Sequence, residues 1–362
     1  MQLKVIRTVT DFKNLKEHWQ SLDRRACNKN LFLSFDWLDA WVTTFSSSIS
    51  TMAVVTIWEG KELVGSLPLY TKSDDPAGVF WFLGSGEPEL SEVCSEGLDV
   101  LLLSPLGAKF GQFLTEAFIQ IGLKKLIVSN SFEDSFLARQ LQDSGFFKTK
   151  EFIGNRYFIR AKEESTKLEK RTARYSRAAE KLGVSFHVLN TVEELDSYFD
   201  ELKSLHNLRW RKSQPITIFD NDKFCSFHLK LAEALIKKNS LSLVLLKKEN
   251  KSIAINYSLV SGNDLVFYQS GVDTSFKPNL SPGMLLHRYQ LELARELKLD
   301  RYDFLLSMPP SYKESITECA KPVFCFTYYE CFSAFLLGRV SKFVSLLKNR
   351  LFGKNKEVSF AG

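Results

Sequence analysis

The chain has 362 residues, a mass of 41.5 kDa, a net charge of +6 and a pI near 8.8. Hydrophobic residues make up 44% of it and charged residues 25%, the balance of a soluble globular protein, and the length predicts two domains that each bury a core. The small positive excess suits an anionic ligand or a membrane surface without identifying either.

Cysteine usage and hydropathy exclude several classes of protein. The six cysteines form no CxxC pair and no histidine cluster lies near them, which argues against a zinc site and a disulfide framework. We therefore expect buried thiols and no metal. No basic-then-apolar start with a cleavage site follows Met1, and no uncharged apolar run approaches the about 20 residues that cross a bilayer. These features predict a cytoplasmic protein.

Residues 1–160 have the pattern of a mixed α/β domain. Apolar spacing predicts a helix over residues 12–22 and a second helix that starts behind Ser34 as its N-cap. Further along we predict strands at 53–58, 63–70, 79–83, 98–103, 126–129, 146–148 and 157–160, and helices at 110–121 and 136–144. Strands that alternate with helices place this half in the α/β class.

A charged stretch at 161–181 separates the two halves, so we predict domains at 1–160 and 161–331 and a tail at 332–362. Within this stretch, cations recur every three to four residues and would form one basic stripe on a helix. They are Lys167, Lys170, Arg171, Arg174, Arg177 and Lys181. Such a stripe either guides the phosphates of a ligand or is a solvated helix face. Nucleic-acid binding is not expected, because no aromatic platform is interleaved with the cations.

The second half repeats the alternation of strands and helices. The predicted elements are a strand at 184–189, a helix from the capping box Thr191–Glu194 to about 211, a helix at 220–239, strands at 241–246, 252–260 and 265–270, a helix at 282–297 and a strand at 301–307. Three meandering strands that feed a crossover helix predict a sheet whose loop opens at a helix N-terminus. An anionic cofactor tends to bind at such a place.

The start of that crossover helix is a candidate anion site. Ser281 as N-cap and Pro282 at the first helical position are strong start signals. The amides of Gly283, Met284 and Leu285 would then be unpaired and, with the helix dipole, would suit a pyrophosphate. The alternative is an ordinary capped helix that needs no ligand.

Several different short motifs follow one another along the chain, and their order and spacing can be compared with those of known families. They lie at 35–38, 171–174, 206–210, 271–273, 282–286, 303–305 and 312–313. The element order resembles the GNAT acyltransferase fold, in which acyl-CoA enters a splay between the fourth and fifth strands. The motifs are similar to those of the CelD/BcsL-type acetyltransferases of cellulose and other polysaccharide synthesis. That branch is itself similar to the Fem peptidyltransferases, which pair two GNAT-like domains. The resemblance implies an α/β chain with two GNAT-like mixed-sheet domains in tandem.

The phosphate loop departs from the pattern of the wider fold, (Gln/Arg)-x-x-Gly-x-(Gly/Ala). Here residues 279–284 read Asn-Leu-Ser-Pro-Gly-Met, so one glycine remains and Pro282 removes a backbone donor. The resemblance implies acyl-CoA, in the simplest case acetyl-CoA, as co-substrate without a metal, and the loop supports this in part.

The resemblance also directs attention to four candidate catalytic residues. Tyr312 would donate a proton to the departing thiolate, and Lys313 would neutralise a substrate phosphate or the developing oxyanion. Asp303 would orient an amine nucleophile or hold Lys313, and His206 would serve as general base near neutral pH. The alternatives are a packed tyrosine beside a surface lysine, a solvated Asp303 and a histidine hydrogen-bonded at the edge of a core.

Three further residues are candidates for substrate binding. Arg209 either binds an anionic substrate group or is a solvated arginine packed on Trp210. Arg174 represents the basic stripe, and Asp273 follows from the family motif that contains it. The fourth strand, 265–270, contains no glutamate, so the sequence leaves the general base open.

The tail at 332–362 combines an apolar helical face with several lysines and arginines. We expect a cytoplasmic protein in which such a helix either makes peripheral contact with the anionic inner face of the membrane or packs on the protein's own domain.

The favoured function is acyl-CoA-dependent N- or O-acyl transfer to a sugar, a polysaccharide precursor or another small-molecule or glycan acceptor with an amine or hydroxyl. The alternatives are a silent scaffold of an envelope-polysaccharide system and a Fem-like transferase that uses aminoacyl-tRNA.

Overall fold

The computed structural model describes residues 1–105, 108–142, 144–189, 191–276 and 280–340. The chain divides into two compact units. The first unit contains Met1–Gly86, Cys94–Ile153 and the described residues from Val323 onwards, and the second unit contains Glu87–Val93 and Gly154–Pro322. The sequence analysis placed one division between residues 160 and 161. In the structure, residues 87–93, which precede it, belong to the second unit, and residues 323–331, which follow it, belong to the first.

The elements up to the middle of the chain are β1 (Gln2–Ile6), α1 (Val9–Asn14), α2 (Lys16–Arg25), α3 (Phe35–Phe45), β2 (Ile49–Glu59), β3 (Glu62–Lys72), β4 (Val79–Phe82), β5 (Leu101–Leu102), α4 (Ala108–Ile121), β6 (Lys125–Ser131), α5 (Phe136–Gln142) and β7 (Phe147–Arg160). Those that follow are α6 (Lys167–Lys181), β8 (Val184–Leu189), α7 (Leu195–Trp210), α8 (Asp222–Ile236), β9 (Leu241–Lys248), β10 (Lys251–Ser261), β11 (Asp264–Val272), α9 (Pro282–Glu296), β12 (Arg301–Ser307), β13 (Ala320–Tyr329) and the helical residues 332–340, named α10.

The first unit is a mixed sheet with the strand order β1-β2-β3-β4-β6-β13, and β5 pairs with β3. Its parallel pair, β4 and β6, is connected through α4. The predicted N-cap is confirmed, because the Ser34 side chain accepts a hydrogen bond from the Trp37 amide at the start of α3. The tryptophans Trp19, Trp37 and Trp41 are fully buried, so the aromatic residues of α2 and α3 build the core of this unit.

The strands predicted at 146–148 and 157–160 are parts of one long strand, β7. Gly154 allows β7 to run on past the neighbouring strand β12. It has a φ of 140°, and a Cβ at this position would lie 2.7 Å from the Ser307 carbonyl oxygen. Only glycine tolerates such a conformation and such an approach. The sequence analysis also missed β1, a short strand at the N-terminus.

The second unit is a sheet in the order β7-β12-β11-β10-β9-β8, with helices on both faces. On one face, buried residues of α6 and α9 pack against β9 and β10 around Val244 and Ala254. On the other face, Tyr257 of β10 packs against Phe199 of α7 and His228 of α8. β11 and β12 are parallel and connected through α9, while the other strand pairs with a recorded register are antiparallel. The predicted α/β class is therefore confirmed.

Two local predictions for the chain need correction. Helix α7 begins at Leu195, after the predicted capping box, and the Thr191 hydroxyl donates to the Glu194 carboxylate instead of capping a backbone amide. No cysteine is buried: three are exposed and three are half-buried, because most of them lie in loops, at strand ends or on exposed helix faces. Within the described ranges, no helix has both the length and the apolarity to cross a membrane.

Candidate active site

A gap opens between β11 and β12 in the second unit. Their parallel ladder consists of three residue pairs, from Asp264 and Arg301 to Val266 and Asp303. Both strands continue beyond it, to Val272 and Ser307, without further pairing to each other among these described residues. The two strands therefore separate, and backbone groups of β11 after Val266 face the gap instead of a neighbouring strand.

Both strands that border the gap are irregular. In β11, Tyr268 is the extra residue of a bulge, since Gln269 pairs with Tyr257 and Phe267 pairs with Ser258 of β10. In β12, the register against β7 shifts between Asp303 and Leu306. Bulges bend a strand and redirect its backbone groups, and they are common beside active sites. The gap therefore results from local departures on both of its sides.

Asp303 holds the bulge of β12 in place. One of its carboxylate oxygens accepts the Leu305 amide at 2.8 Å, and the other accepts the Arg156 Nε at 2.8 Å. Leu305 itself has a φ of 60°, a conformation that a leucine adopts only when its surroundings enforce it. Asp303 is buried, so its carboxylate acts on the backbone and on Arg156 within the strand pair.

Lys313 is the second support of this bulge. Lys313 is 2% exposed, and its ammonium group donates to the carbonyl oxygens of Phe304 at 2.8 Å and Leu306 at 3.0 Å. A lysine has three donors and no acceptor, and here they serve consecutive carbonyls of one strand. The geometry therefore assigns Lys313 to the shape of β12, a role that neither interpretation of the sequence included.

The start of α9 offers two amides for an anion. Ser281 and Pro282 lie at the N-cap and first helical positions as predicted, but the Leu285 amide donates to the Ser281 carbonyl at 3.1 Å. The prediction of three unpaired amides is wrong for Leu285, because its position already permits the first helical hydrogen bond. Within the described chain, the Gly283 and Met284 amides have no partner. They and the helix dipole suit a negatively charged group.

Tyr312 lies in the short turn after β12, next to a histidine of α9. Its hydroxyl is 3.3 Å from Nε2 of His287, and Nδ1 of the same ring is 2.8 Å from the Tyr302 hydroxyl. Burial raises the pKa of Tyr312 to about 12, so the phenol keeps its proton at neutral pH. His287 was missed from the sequence, although it follows Gly283 by four residues and so lies on the same face of α9.

The positive charge of Arg209 affects the pKa values of His206, His287 and Tyr312. Burial is the main cause that lowers the pKa of His206 to about 4 and of His287 to about 3, and the positive charge of Arg209 lowers both further. The same charge opposes the burial that raises the pKa of Tyr312. Arg209 is exposed, lies 5.0 Å from the Trp210 ring and has no carboxylate partner in the described ranges. The Arg209 charge therefore acts on residues of α7, α9 and the 312 turn.

His206 is held in the interior of the second unit. Helix α7 crosses β11 so closely that a Cβ on Gly271 would lie 2.6 Å from the Cβ of Leu205. The His206 ring packs edge-on against Phe219 at 4.8 Å, and its Nδ1 has no hydrogen-bond partner among the described residues. With a pKa of about 4 the ring is neutral at physiological pH, so it accepts a hydrogen bond but is a weaker base than the sequence suggested.

Asp273 and Arg174 lie apart from this group. Asp273 is buried in the turn after β11, where its carboxylate accepts from Lys251 Nζ at 2.8 Å and the Ser275 amide at 2.9 Å, and chiefly the Lys251 hydrogen bond lowers its pKa to about 2. Arg174 lies on the exposed face of α6, 5.6 Å from the Tyr175 ring. No hydrogen bond or ion pair in the described chain connects Arg174 to the residues around the gap.

Buried neutral histidines predict how stability depends on pH. Burial lowers the pKa of His228 to about 3, as it does for His287, so between that value and 6.5 the unfolded chain binds more protons than the folded one. The contribution of these histidines to the free energy of unfolding is therefore fully present above about pH 6.5. It falls as the pH drops, by up to about 1.4 kcal/mol per pH unit for each such histidine. We expect His228→Gln to flatten the slope of unfolding free energy between pH 6 and 4.5, measured by urea denaturation.

The matched control for this experiment is His187→Gln, because His187 is exposed on β8. An equal slope in wild type and His228→Gln would show that the buried ring is protonated in the folded protein.

Comparisons with known proteins agree with this architecture. Residues 166–314 match the family model described as an acetyltransferase (GNAT) domain. The chain is similar to the crystal structure of FemX, with 13% identity, a TM-score of 0.62 and coverage of 93% of this chain and 99% of that one. It is also similar to the C-terminal domain of a putative lysylphosphatidylglycerol synthetase from Agrobacterium fabrum, with 11% identity, a TM-score of 0.56 and coverage of 92% and 97%.

A third similar structure is L-PGS from Bacillus licheniformis, with 12% identity, a TM-score of 0.54 and coverage of 96% of this chain and 98% of that one. No curated protein matches the sequence. At these identities the likenesses show the fold. The predicted mixed α/β fold is confirmed, and the acetyltransferase (GNAT) domain matched at residues 166–314 supports the predicted acyltransferase activity. The CelD/BcsL type stays a prediction.

Proposed function

We propose that the second unit transfers an acyl group, in the simplest case acetyl, from CoA to an amine or hydroxyl of a sugar or polysaccharide precursor. The observation that carries this proposal is the gap between β11 and β12; Tyr312 lies in the turn that follows β12, and the Arg209 charge acts on it. The glycan acceptor rests on the motifs that resemble the polysaccharide-synthesis branch.

The described residues fit an acyl-CoA at this place. The amides of Gly283 and Met284, which have no partner among the described residues, would hold the pyrophosphate, and of those residues a Cβ on Gly283 would meet only Val272, at 3.4 Å. Bound there, CoA supplies an activated thioester carbonyl. A backbone N–H of β11 after Val266, on the edge that faces away from β10, is the group that would polarise it.

The chain's own residues supply the proton transfers and charge. Tyr312 keeps its proton at neutral pH and is therefore an acid for the departing thiolate rather than a base. The Nδ1 of neutral His206, which is buried and has no partner among the described residues, would accept a hydrogen bond from an acceptor amine or hydroxyl that reaches it. Arg209 would bind an anionic group of the acceptor or donor. Much of the rate would come from holding the two reactants together.

Acetyl-CoA should stabilise the protein against heat. At about 100 times its dissociation constant, a ligand that binds only the folded state adds about 2.7 kcal/mol. We expect Gly283→Glu to abolish this shift, because the new carboxylate would lie where the pyrophosphate binds. The measurement is differential scanning fluorimetry with acetyl-CoA.

The control is Ser197→Glu, which adds the same charge to the exposed first turn of α7. A shift that survives in Gly283→Glu would place the cofactor elsewhere. No shift of the wild type at millimolar acetyl-CoA would reject CoA as the donor carrier.

The likeness to FemX favours one second candidate, a transferase that takes its acyl group from aminoacyl-tRNA. The exposed cations of α6 are the surface that such a donor would contact. Against it, the described chain contains no long helical arm, since α7, with 16 residues, is its longest helix. Transfer from aminoacyl-tRNA, without transfer from acetyl-CoA, would decide for this candidate.

We also propose peripheral contact with an anionic membrane through α10. Its side chains Phe332, Leu336, Leu337 and Val340 are exposed on the described part of the helix, next to Arg339. The remainder of the predicted amphipathic tail, 341–362, lies outside the described residues. Exposed apolar groups beside cations are typical of helices that bind at a membrane surface.

Replacing two of these apolar side chains should weaken membrane binding. We expect Leu336→Glu/Leu337→Glu to reduce co-sedimentation with vesicles of phosphatidylcholine and phosphatidylglycerol at least about tenfold, since both burial of apolar area and charge attraction are lost. The control, Ile119→Glu, changes an exposed apolar residue of α4. Equal binding of wild type and double variant would reject the contact.

A further inference from the structure

A row of three side chains connects the core of the second unit to Tyr312. The Tyr302 hydroxyl is 2.8 Å from Nδ1 of His287, and the Tyr312 hydroxyl is 3.3 Å from Nε2 of the same ring. Tyr302 is 0% exposed and packs against Phe304 at 4.6 Å, whereas Tyr312 is half-buried. The row therefore has one end in the core and the other at the turn beside the gap.

The buried end decides where the histidine proton lies. Among the described residues, His287 is the one hydrogen-bond partner of the Tyr302 hydroxyl. If Nδ1 carried the ring proton and donated to Tyr302, the phenol O–H would remain unpaired in the core, which is unfavourable for a buried polar group. The Tyr302 hydroxyl therefore donates and Nδ1 accepts.

The rest of the row follows from this choice. Burial keeps the His287 ring neutral, so it has one proton, and with Nδ1 as acceptor that proton is on Nε2. Nε2–H then donates to the Tyr312 oxygen. Because that oxygen receives a hydrogen bond from His287, the O–H of Tyr312 points elsewhere.

We propose that Tyr302 and His287 are positioning residues that turn the Tyr312 O–H away from the ring and into the gap between β11 and β12. This inference rests on the proposed acyl transfer. The chemistry balances: when the thioester C–S bond breaks and the acceptor–acyl bond forms, the sulfur takes the Tyr312 proton. The phenolate, stabilised by Nε2–H and the Arg209 charge, takes the proton that the acceptor loses.

The tautomer is measured without any substrate. In ¹⁵N-histidine-labelled protein with five histidines, two-bond ¹H–¹⁵N spectra distinguish a proton on Nε2 from one on Nδ1, and His287→Gln assigns the signal. We expect His287 to be neutral with its proton on Nε2 at pH 7, and Tyr302→Phe to convert it to a mixture of both tautomers. A wild-type proton on Nδ1, or no change in Tyr302→Phe, would overturn the proposal.

The functional consequence is measured as thiol release from acetyl-CoA with water as acceptor. We expect Tyr302→Phe to lower kcat about tenfold or more with an unchanged KM. An aryl thioester, whose thiolate leaves without an acid, should lose much less. His287→Gln, which keeps an N–H near the position of Nε2, should retain more activity than His287→Leu. Tyr198→Phe, which removes another buried phenol of this unit, is the control.

The two experiments separate the failure of each idea. A proton on Nε2 together with no thiol release by the wild type would reject the proposed function and leave the arrangement of the row intact. Equal losses of Tyr302→Phe on both thioesters, or equal activity of His287→Gln and His287→Leu, would show a structural role alone and overturn the positioning of the Tyr312 proton.

Discussion

Tyr312→Phe should lower kcat for acyl transfer about 100- to 10,000-fold and leave the affinity for acetyl-CoA unchanged. Phenylalanine keeps the packing of the ring against His287 but removes the O–H that protonates the departing sulfur. Since Tyr312 is not among the groups expected to hold the pyrophosphate, the loss should appear in kcat. Steady-state kinetics for kcat and calorimetric titration for binding measure the two effects separately.

A matched control is Tyr175→Phe, a half-buried tyrosine of α6 that packs with the hydrophobic cluster there. It should retain wild-type turnover. Wild-type turnover in Tyr312→Phe would remove Tyr312 from the mechanism, while a parallel loss of CoA affinity would indicate that the turn itself had moved.

Asp303→Ala should lower the free energy of unfolding by about 3–5 kcal/mol, because it removes one member of a buried ion pair and leaves the other charged. Arg156 would lose its carboxylate partner at 2.8 Å, and the Leu305 amide would lose its acceptor. The bulge that borders the gap depends on both bonds. We therefore expect acetyl-CoA binding to weaken as well. Urea denaturation followed by circular dichroism measures the stability.

Asp264→Ala is a matched control, since Asp264 also pairs with an arginine, Arg301, on the neighbouring strand. That arginine is 45% exposed, and such a pair contributes about 0–1 kcal/mol. Losses of equal size in the two variants would show that burial of the Asp303 pair has no special weight.

Local patterns predicted the frame of the site well. The proline and serine signals located the start of α9 at Pro282, and the β-favouring run located β12 at 301–307, as observed. These boundaries depend on neighbours in sequence, so the sequence contains the information. Tyr312 and Arg209 were selected through the family motifs, and the structure places Arg209 close enough for its charge to act on Tyr312.

Partners from distant parts of the chain were beyond such patterns. His287 contacts Tyr302 and Tyr312, which are 15 and 25 residues away, and only the crossover of α9 between two parallel strands brings them together. Lys313 appeared as a surface or ligand-binding cation, because nothing in a Tyr-Lys pair reveals that three carbonyls of β12 lie within its reach. The bulges of β11 and β12 that border the gap could not be predicted either, because they depend on which residues of neighbouring strands pair, and local sequence patterns do not show this.

The strand β13 is the last strand of the described chain, yet it pairs with β6 in the first unit. Domains generally fold from the N-terminus as the ribosome releases them, but β6 lacks this neighbour until residues 320–329 have been made. Until then the backbone of β6 presents an open edge, which other chains can pair with. A stop codon placed before residue 320 would therefore damage the unit that is made first.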